Sequence, residues 1–231
     1  MTPMNPSSLH HIPVAPWFML GLSLLLAAAV ALIEIGLFRY SYEKMGINRR
    51  YIFGILFLSL VGSYINIPIG ELPTKQVATT KQISVFGVPY VVPVVQEPAR
   101  TILAINVGGA VIPIIVSLYL LVHNVLYIRA AIAVAVVSVV VHTMAREVPG
   151  VGIAVPTFIP PIVAAVVAVL LSRQSAAPLA YIAGSMGILV GADLSNLGSL
   201  TALGGEVASI GGAGTFDGVF LTGILAVLLA W

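Results

Sequence analysis

The chain has no cysteine, and only 8% of its 231 residues are charged. Without cysteine there is no disulfide framework, no thiolate nucleophile and no cysteine-ligated metal. Soluble domains carry charge on roughly a quarter of their residues, so this chain cannot cover a globular surface with charge. Its ten lysines and arginines are scattered, and no basic cluster alternates with aromatics. The net charge of +2 therefore does not indicate nucleic acid. Four dispersed histidines without an HExxH pair exclude a recognisable zinc site. There is no G-x-S-x-G elbow for a serine nucleophile and no Lys-Ser/Thr after the glycine-rich stretches to make a P-loop. No cofactor is expected.

Apolar residues are abundant: the chain is 59% hydrophobic, with a mean hydropathy of +1.10. That composition predicts an all-α, polytopic transmembrane helix bundle forming a single domain over residues 1–231. Seven segments approach the ~20 residues needed to cross the hydrocarbon core: 17–38, 51–69, 101–122, 128–144, 153–172, 178–200 and 212–231. Residues 1–17 lack the positive charge of a secretory n-region, so the first segment reads as an uncleaved helix. The fourth segment is short and the fifth contains prolines 156, 160 and 161, so one of these two is expected to be broken or re-entrant.

The Lys/Arg bias sets an expected orientation in the cell membrane. With the N-terminus outside, Arg39, Lys44, Arg49, Arg50, Arg129 and Arg173 fall on the cytoplasmic side, against Lys75, Lys81, Arg100 and Arg146 outside. The C-terminus is then cytoplasmic. Residues 70–100 form the one sizeable extramembrane piece. Their β-branched runs, at 76–80, 82–85 and 88–95, predict a β-hairpin or an extended loop on the membrane surface, either a lid over the bundle or a plain connector.

Glycine and proline recur where spans open, in Asn106-Val-Gly-Gly-Ala-Val-Ile-Pro113, Pro149-Gly-Val-Gly-Ile-Ala-Val-Pro156 and Gly211-Gly-Ala-Gly214. Small residues let helices approach closely, and interrupted helices free backbone groups to meet polar ligands. The same small-residue faces permit a homo-oligomer.

The most informative residues are two aspartates inside the last two apolar segments, Asp193 and Asp217. A carboxylate in a bilayer is costly and functional by default. If the last helix starts near Gly211–Gly212, antiparallel neighbours place both acids at one membrane level. Two close carboxylates in low dielectric share a proton, one serving as general base toward water and the other as general acid. Asp193 and Asp217 are thus the candidate catalytic pair, with Gly212, Gly214, Thr215 and Asn196 as candidate substrate-binding residues.

The stretch from Gly214 to Gly223, GTFDGVFLTG, resembles the glycine-aspartate helix of presenilin-type and prepilin-type intramembrane aspartyl proteases. Asp193 is similar to their first catalytic aspartate. Here Thr215 and Phe216 separate Gly214 from Asp217, so glycine and aspartate are not adjacent. Through GADLSNL (191–197) and IGGAGTFDGVFLTGILAVLLA (210–230), the whole chain also resembles an uncharacterised family of archaeal and bacterial membrane proteins, a domain of unknown function. That resemblance implies a polytopic fold. Three functions follow as expectations: an intramembrane aspartyl protease-like hydrolase acting on a transmembrane peptide, a proton- or sodium-coupled transporter or channel, or a structural membrane subunit. In the last, Asn196, Ser195, Thr215 and Thr222 satisfy the acids within a polar packing node.

Overall fold

A computed structural model describes residues 16–72, 79–85, 88–94, 101–148, 152–200, 207–212 and 218–230. The chain divides into two compact units, 1–40 and 41–231. The first holds most of α1 (Pro16–Lys44), a 29-residue helix built on Leu and Ala. Helix α1 ends in the second unit, at Gly46. This glycine has φ +81°, and the N–H of Ile47 returns to the carbonyl of Tyr42 at 3.1 Å. A left-handed glycine closing orphan carbonyls is a common helix stop. Asn48 then caps α2 (Arg49–Gly62) by accepting from Arg50 N at 3.1 Å.

The rest of the second unit is a helical bundle carrying a small sheet. Strand β1 (Asn66–Leu72) leads to a hairpin of β2 (Thr79–Val85) and β3 (Val88–Val94), then to β4 (Thr101–Asn106). One turn of π-helix, Val107–Val111, runs into α3 (Ile112–His123). Helix α4 (Tyr127–Met144), the short strands β5 (Arg146–Val148) and β6 (Gly152–Ala154), α5 (Ile159–Leu171) and α6 (Ala176–Ile188) follow. Helix α6 continues through a second π-turn, Leu189–Asp193, and a 3₁₀ turn, Leu194–Asn196, into α7 (Leu197–Leu200). Strand β7 (Val207–Ile210) and α8 (Gly218–Leu229) complete the unit.

The fold is therefore predominantly helical rather than all-α. Strand β4 lies at the centre of a three-stranded sheet, antiparallel to β1 and parallel to β7. Asn66 stands opposite Asn106, and a bulge falls between Pro68 and Gly70. Several expected spans are correspondingly shorter as helices. Segment 51–69 leaves the helix at Gly62, and segment 101–122 begins as strand. In the fifth segment, Pro160 and Pro161 open α5 rather than break it. A missing N–H costs nothing in the first turn. Nor does the last helix begin at Gly211–Gly212: these two glycines, φ +85° and +77°, turn out of β7, and α8 starts at Gly218. The predicted hairpin is present as β2–β3. Among the described residues, two helices, Tyr127–Met144 and Ala176–Asn196, are long and apolar enough to cross a membrane.

Helix α6 forms the core and is buried nearly all round. Glycines allow its close contacts. A Cβ on Gly187 would sit 2.4 Å from Val137 Cγ1, one on Gly191 2.5 Å from the Ser138 carbonyl, and one on Gly184 3.1 Å from the Thr222 carbonyl. The interior is rich in small side chains, among them Ala130, Ala133, Ala164, Ala168, Ala180, Ala183 and Ala226. Many large apolar side chains also point outward: Ile128 is 77% exposed, Leu170 79% and Phe53 76%.

Candidate functional site

Asp193 lies where α6 changes its winding. It closes the π-turn Leu189–Asp193, whose wider ring displaces carbonyls from the regular ladder. Side chains just downstream meet those carbonyls. Ser195 Oγ donates to Val190 O at 2.7 Å, and Asn196 Nδ2 donates to Ala192 O at 2.8 Å and to Gly191 O at 3.1 Å. The half-buried Asp193 side chain faces the sheet. Its Oδ2 accepts from the backbone N–H of Gly211 at 2.7 Å. No described residue donates to Oδ1.

Only glycine fits at position 211. Its φ of +85° is a left-handed conformation, and an added Cβ would lie 2.7 Å from both Ala110 Cβ and Ala110 N. Gly211 is thus wedged between the first π-turn and the carboxylate.

A buried polar junction stands behind this contact. Asn106, the last residue of β4, donates from Nδ2 to Ser63 O at 2.7 Å and to Asn66 Oδ1 at 3.0 Å. Its Oδ1 accepts from Gly109 N at 2.7 Å, which caps the first π-turn. Ser209 Oγ lies 2.7 Å from Asn66 Oδ1 and 2.8 Å from Gly212 O, and its one proton alternates between these acceptors. Val107 N donates to Ile65 O at 3.0 Å and Ser59 Oγ to Gly108 O at 3.0 Å. A Cβ on Gly108 would fall 2.1 Å from Ser59 O, so α2 and the π-turn touch backbone to backbone. One chain of hydrogen bonds therefore runs from the π-turn through Asn106, Asn66 and Ser209 to the turn that holds Asp193.

Of the expected site residues, Asp193, Gly212 and Asn196 sit at this junction. Asp217, Gly214 and Thr215 lie outside the described residues. Asn66, Asn106, Ser209 and Gly211 were not singled out as site residues from sequence. Asn106 and Gly211 open two of the glycine-rich motifs, which is the signal that pointed at them, whereas Asn66 and Ser209 carry no local signal. Among the described residues, no three His, Cys, Asp or Glu gather to hold a metal ion. The arrangement offers one carboxylate fixed at one oxygen by a backbone donor, and such a group can accept or donate a proton without reorienting.

A family described as "Protein of unknown function (DUF1614)" has a model that matches residues 60–229. No curated protein and no solved structure matches the chain.

Proposed function

The chain belongs to the DUF1614 family, and we propose that it is a multi-pass membrane protein whose carboxylate pair, Asp193 and Asp217, works as an intramembrane aspartyl hydrolase on transmembrane peptides. The observation that carries this reading is the hydrogen bond from Gly211 to Asp193. It ties the helix bearing one acid to a point six residues before the other, a tether reaching at most ~20 Å. On its far side, Asp217 is followed directly by Gly218, the first residue of α8. Helix α8 packs on α6, with Gly184 against Thr222 and Gly223 against Ser185. Both chain neighbourhoods of Asp217 are thereby anchored to the helix that carries Asp193.

In this reading the ionised acid takes a proton from water as the water oxygen bonds to the peptide carbonyl carbon. The protonated acid then gives its proton to the amide nitrogen as the C–N bond breaks. Gly212, Gly214, Thr215 and Asn196 are the proposed substrate-binding residues.

Membrane placement is supported by the many large apolar side chains on the outer surface, Ile128, Leu170 and Phe53 among them. Lipid rather than water suits such a surface. The orientation with the N-terminus outside is supported by chain direction. Arg129 at the start of α4 donates to Ser172 beyond the end of α5 at 3.0 Å, beside Arg173, while Asp193 lies at the far end of α6. Tyr42, near Lys44, packs on Tyr181 in the early part of α6.

A second reading, a proton- or sodium-coupled carrier, is favoured by the two π-turns beside a carboxylate, Val107–Val111 at the opening of α3 and Leu189–Asp193 in the run that continues α6. One experiment separates the two. The protein is co-reconstituted with a panel of single-span peptides and the products read by mass spectrometry. Fragments lost in both Asp193→Asn and Asp217→Asn support the hydrolase. No cleavage, together with a gradient-driven proton or sodium flux that depends on either acid, assigns the carrier.

A further inference from the structure

The end of the bundle opposite Asp193 carries a second polar cluster, at the corner where α4 begins and α5 ends. Arg129, in the first turn of α4, is exposed, and its Nη1 donates to Oγ of the buried Ser172 at 3.0 Å. The backbone N–H of Ser175 donates to the same oxygen at 3.3 Å. No described residue accepts the hydroxyl proton of Ser172. Arg173, the next residue along the chain, is also exposed. Among the described residues no carboxylate pairs with either arginine. Glu147 and Asp193 lie beyond the far ends of α4 and α6.

What flanks the two cations is apolar and faces outward. On α5, Ile162, Val166 and Leu170 are exposed at helical spacing and form one stripe that ends just before Ser172. On α4, Ile128, Ile132 and Val136 form a second stripe, which starts beside Arg129. Each stripe runs ~12 Å along its helix. One leaflet of hydrocarbon is about 15 Å deep. Tyr127 is exposed at the opening of α4, and tyrosine is enriched at the level of lipid headgroups. Cations at that level, above stripes of leaflet depth, match a molecule with an anionic head and apolar tails.

We propose that Arg129, Arg173 and Ser172 form a binding site for the phosphate of an anionic phospholipid in the cytoplasmic leaflet, with acyl chains along the two stripes. The inference rests on the membrane placement given above and not on the hydrolase reading. Arg129, oriented by Ser172, presents a planar fork that suits two phosphate oxygens, and Arg173 adds a second cation. The unspent proton of Ser172 is a further donor. A zwitterionic lipid offers the same phosphate, but its own cation is repelled by the arginines, so the site discriminates by net headgroup charge.

Native mass spectrometry tests this on the full chain in detergent, titrated with equal amounts of phosphatidylglycerol and phosphatidylcholine bearing the same acyl chains. Phosphatidylglycerol should be retained with a clear preference. Arg129→Gln and Arg173→Gln should each lower that preference about fivefold, the order expected of one cation near an anionic headgroup. Ser172→Ala, which releases Arg129, takes the place of Arg129→Gln if that variant does not fold. Arg146→Gln, at the other end of the bundle, should leave the preference unchanged. Equal retention of the two lipids by the wild type overturns the proposal, as does a preference lowered just as much by Arg146→Gln. So does full displacement of phosphatidylglycerol by an equimolar amount of inorganic phosphate, since the site would then read a free anion and not a lipid. A chain that stays in solution without detergent or lipid contradicts the membrane placement itself.

Discussion

The Asp193 carboxylate accepts a 2.7 Å hydrogen bond from the N–H of Gly211, 18 residues further along the chain. This contact links the rewound end of α6 to the turn after β7 and orients the acid. Its dependence on a left-handed glycine leads to the first prediction. Gly211→Ala introduces αL strain of about 1–2 kcal/mol. It also forces a Cβ against Ala110, and overpacking of this kind adds about 1–3 kcal/mol. Thermal unfolding in detergent should show a clear fall in Tm, accompanied by loss of whatever activity depends on Asp193. A variant as stable as the wild type would mean that the turn is not built as described.

Asn106 is the keystone of the polar junction. Asn106→Ala leaves the Ser63 carbonyl and the Gly109 N–H without their partners, and each buried orphan costs about 1–3 kcal/mol. The loss should exceed that of Asn48→Ala at the exposed cap of α2, worth about 0.5–2 kcal/mol. Denaturant titration of the two variants side by side makes the comparison.

Glycines at helix contacts should differ sharply from glycines facing outward. Gly191→Ala drives a Cβ to 2.5 Å from the Ser138 carbonyl, whereas at Gly54 there is nothing within 4 Å. Gly191→Ala should therefore destabilise by about 1–3 kcal/mol. Gly54→Ala should be neutral or stabilise by up to about 1 kcal/mol through helix propensity. Equal effects on Tm would contradict the packing of α4 on α6.

The absence of cysteine makes topology directly measurable. Gln174 precedes α6 and Gly198 lies beyond its far end, and both are exposed. Single cysteines at these positions should react with a membrane-impermeant maleimide from opposite faces, Gln174→Cys from the cytoplasm and Gly198→Cys from outside. Labelling of both from one face would remove the transmembrane placement of α6.

Much of the bundle was legible in the sequence. Helix α4, expected at 128–144, runs Tyr127–Met144, and the hairpin at β2–β3 was anticipated from its β-branched runs. Strands β4 and β7 were not, for a physical reason. A short run with an apolar centre, such as Thr-Ile-Leu-Ala-Ile-Asn, has no periodicity that distinguishes strand from helix. What decides is the partner, and Asn66 opposite Asn106 is a pairing that only the fold reveals. The site divides in the same way. Asp193 announced itself as an acid in an apolar segment. Ser209 reaches Asn66 across 143 positions of sequence, a contact with no local signature. In sequence Gly211–Gly212 resembles a helix opening, whereas positive φ at both makes it a turn, and α8 starts at Gly218.

In the proposed hydrolase Asp193 and Asp217 act as one unit, and a mutant cycle on peptide cleavage measures whether they do. Under that proposal each acid performs half of a proton-transfer pair, so Asp193→Asn and Asp217→Asn should each lower the cleavage rate by a factor on the order of 10²–10⁴. Residues acting together are strongly non-additive, so the double variant should be no slower than either single one. Singles that retain most of their activity, or a double variant whose loss is the product of the two, would contradict the paired site.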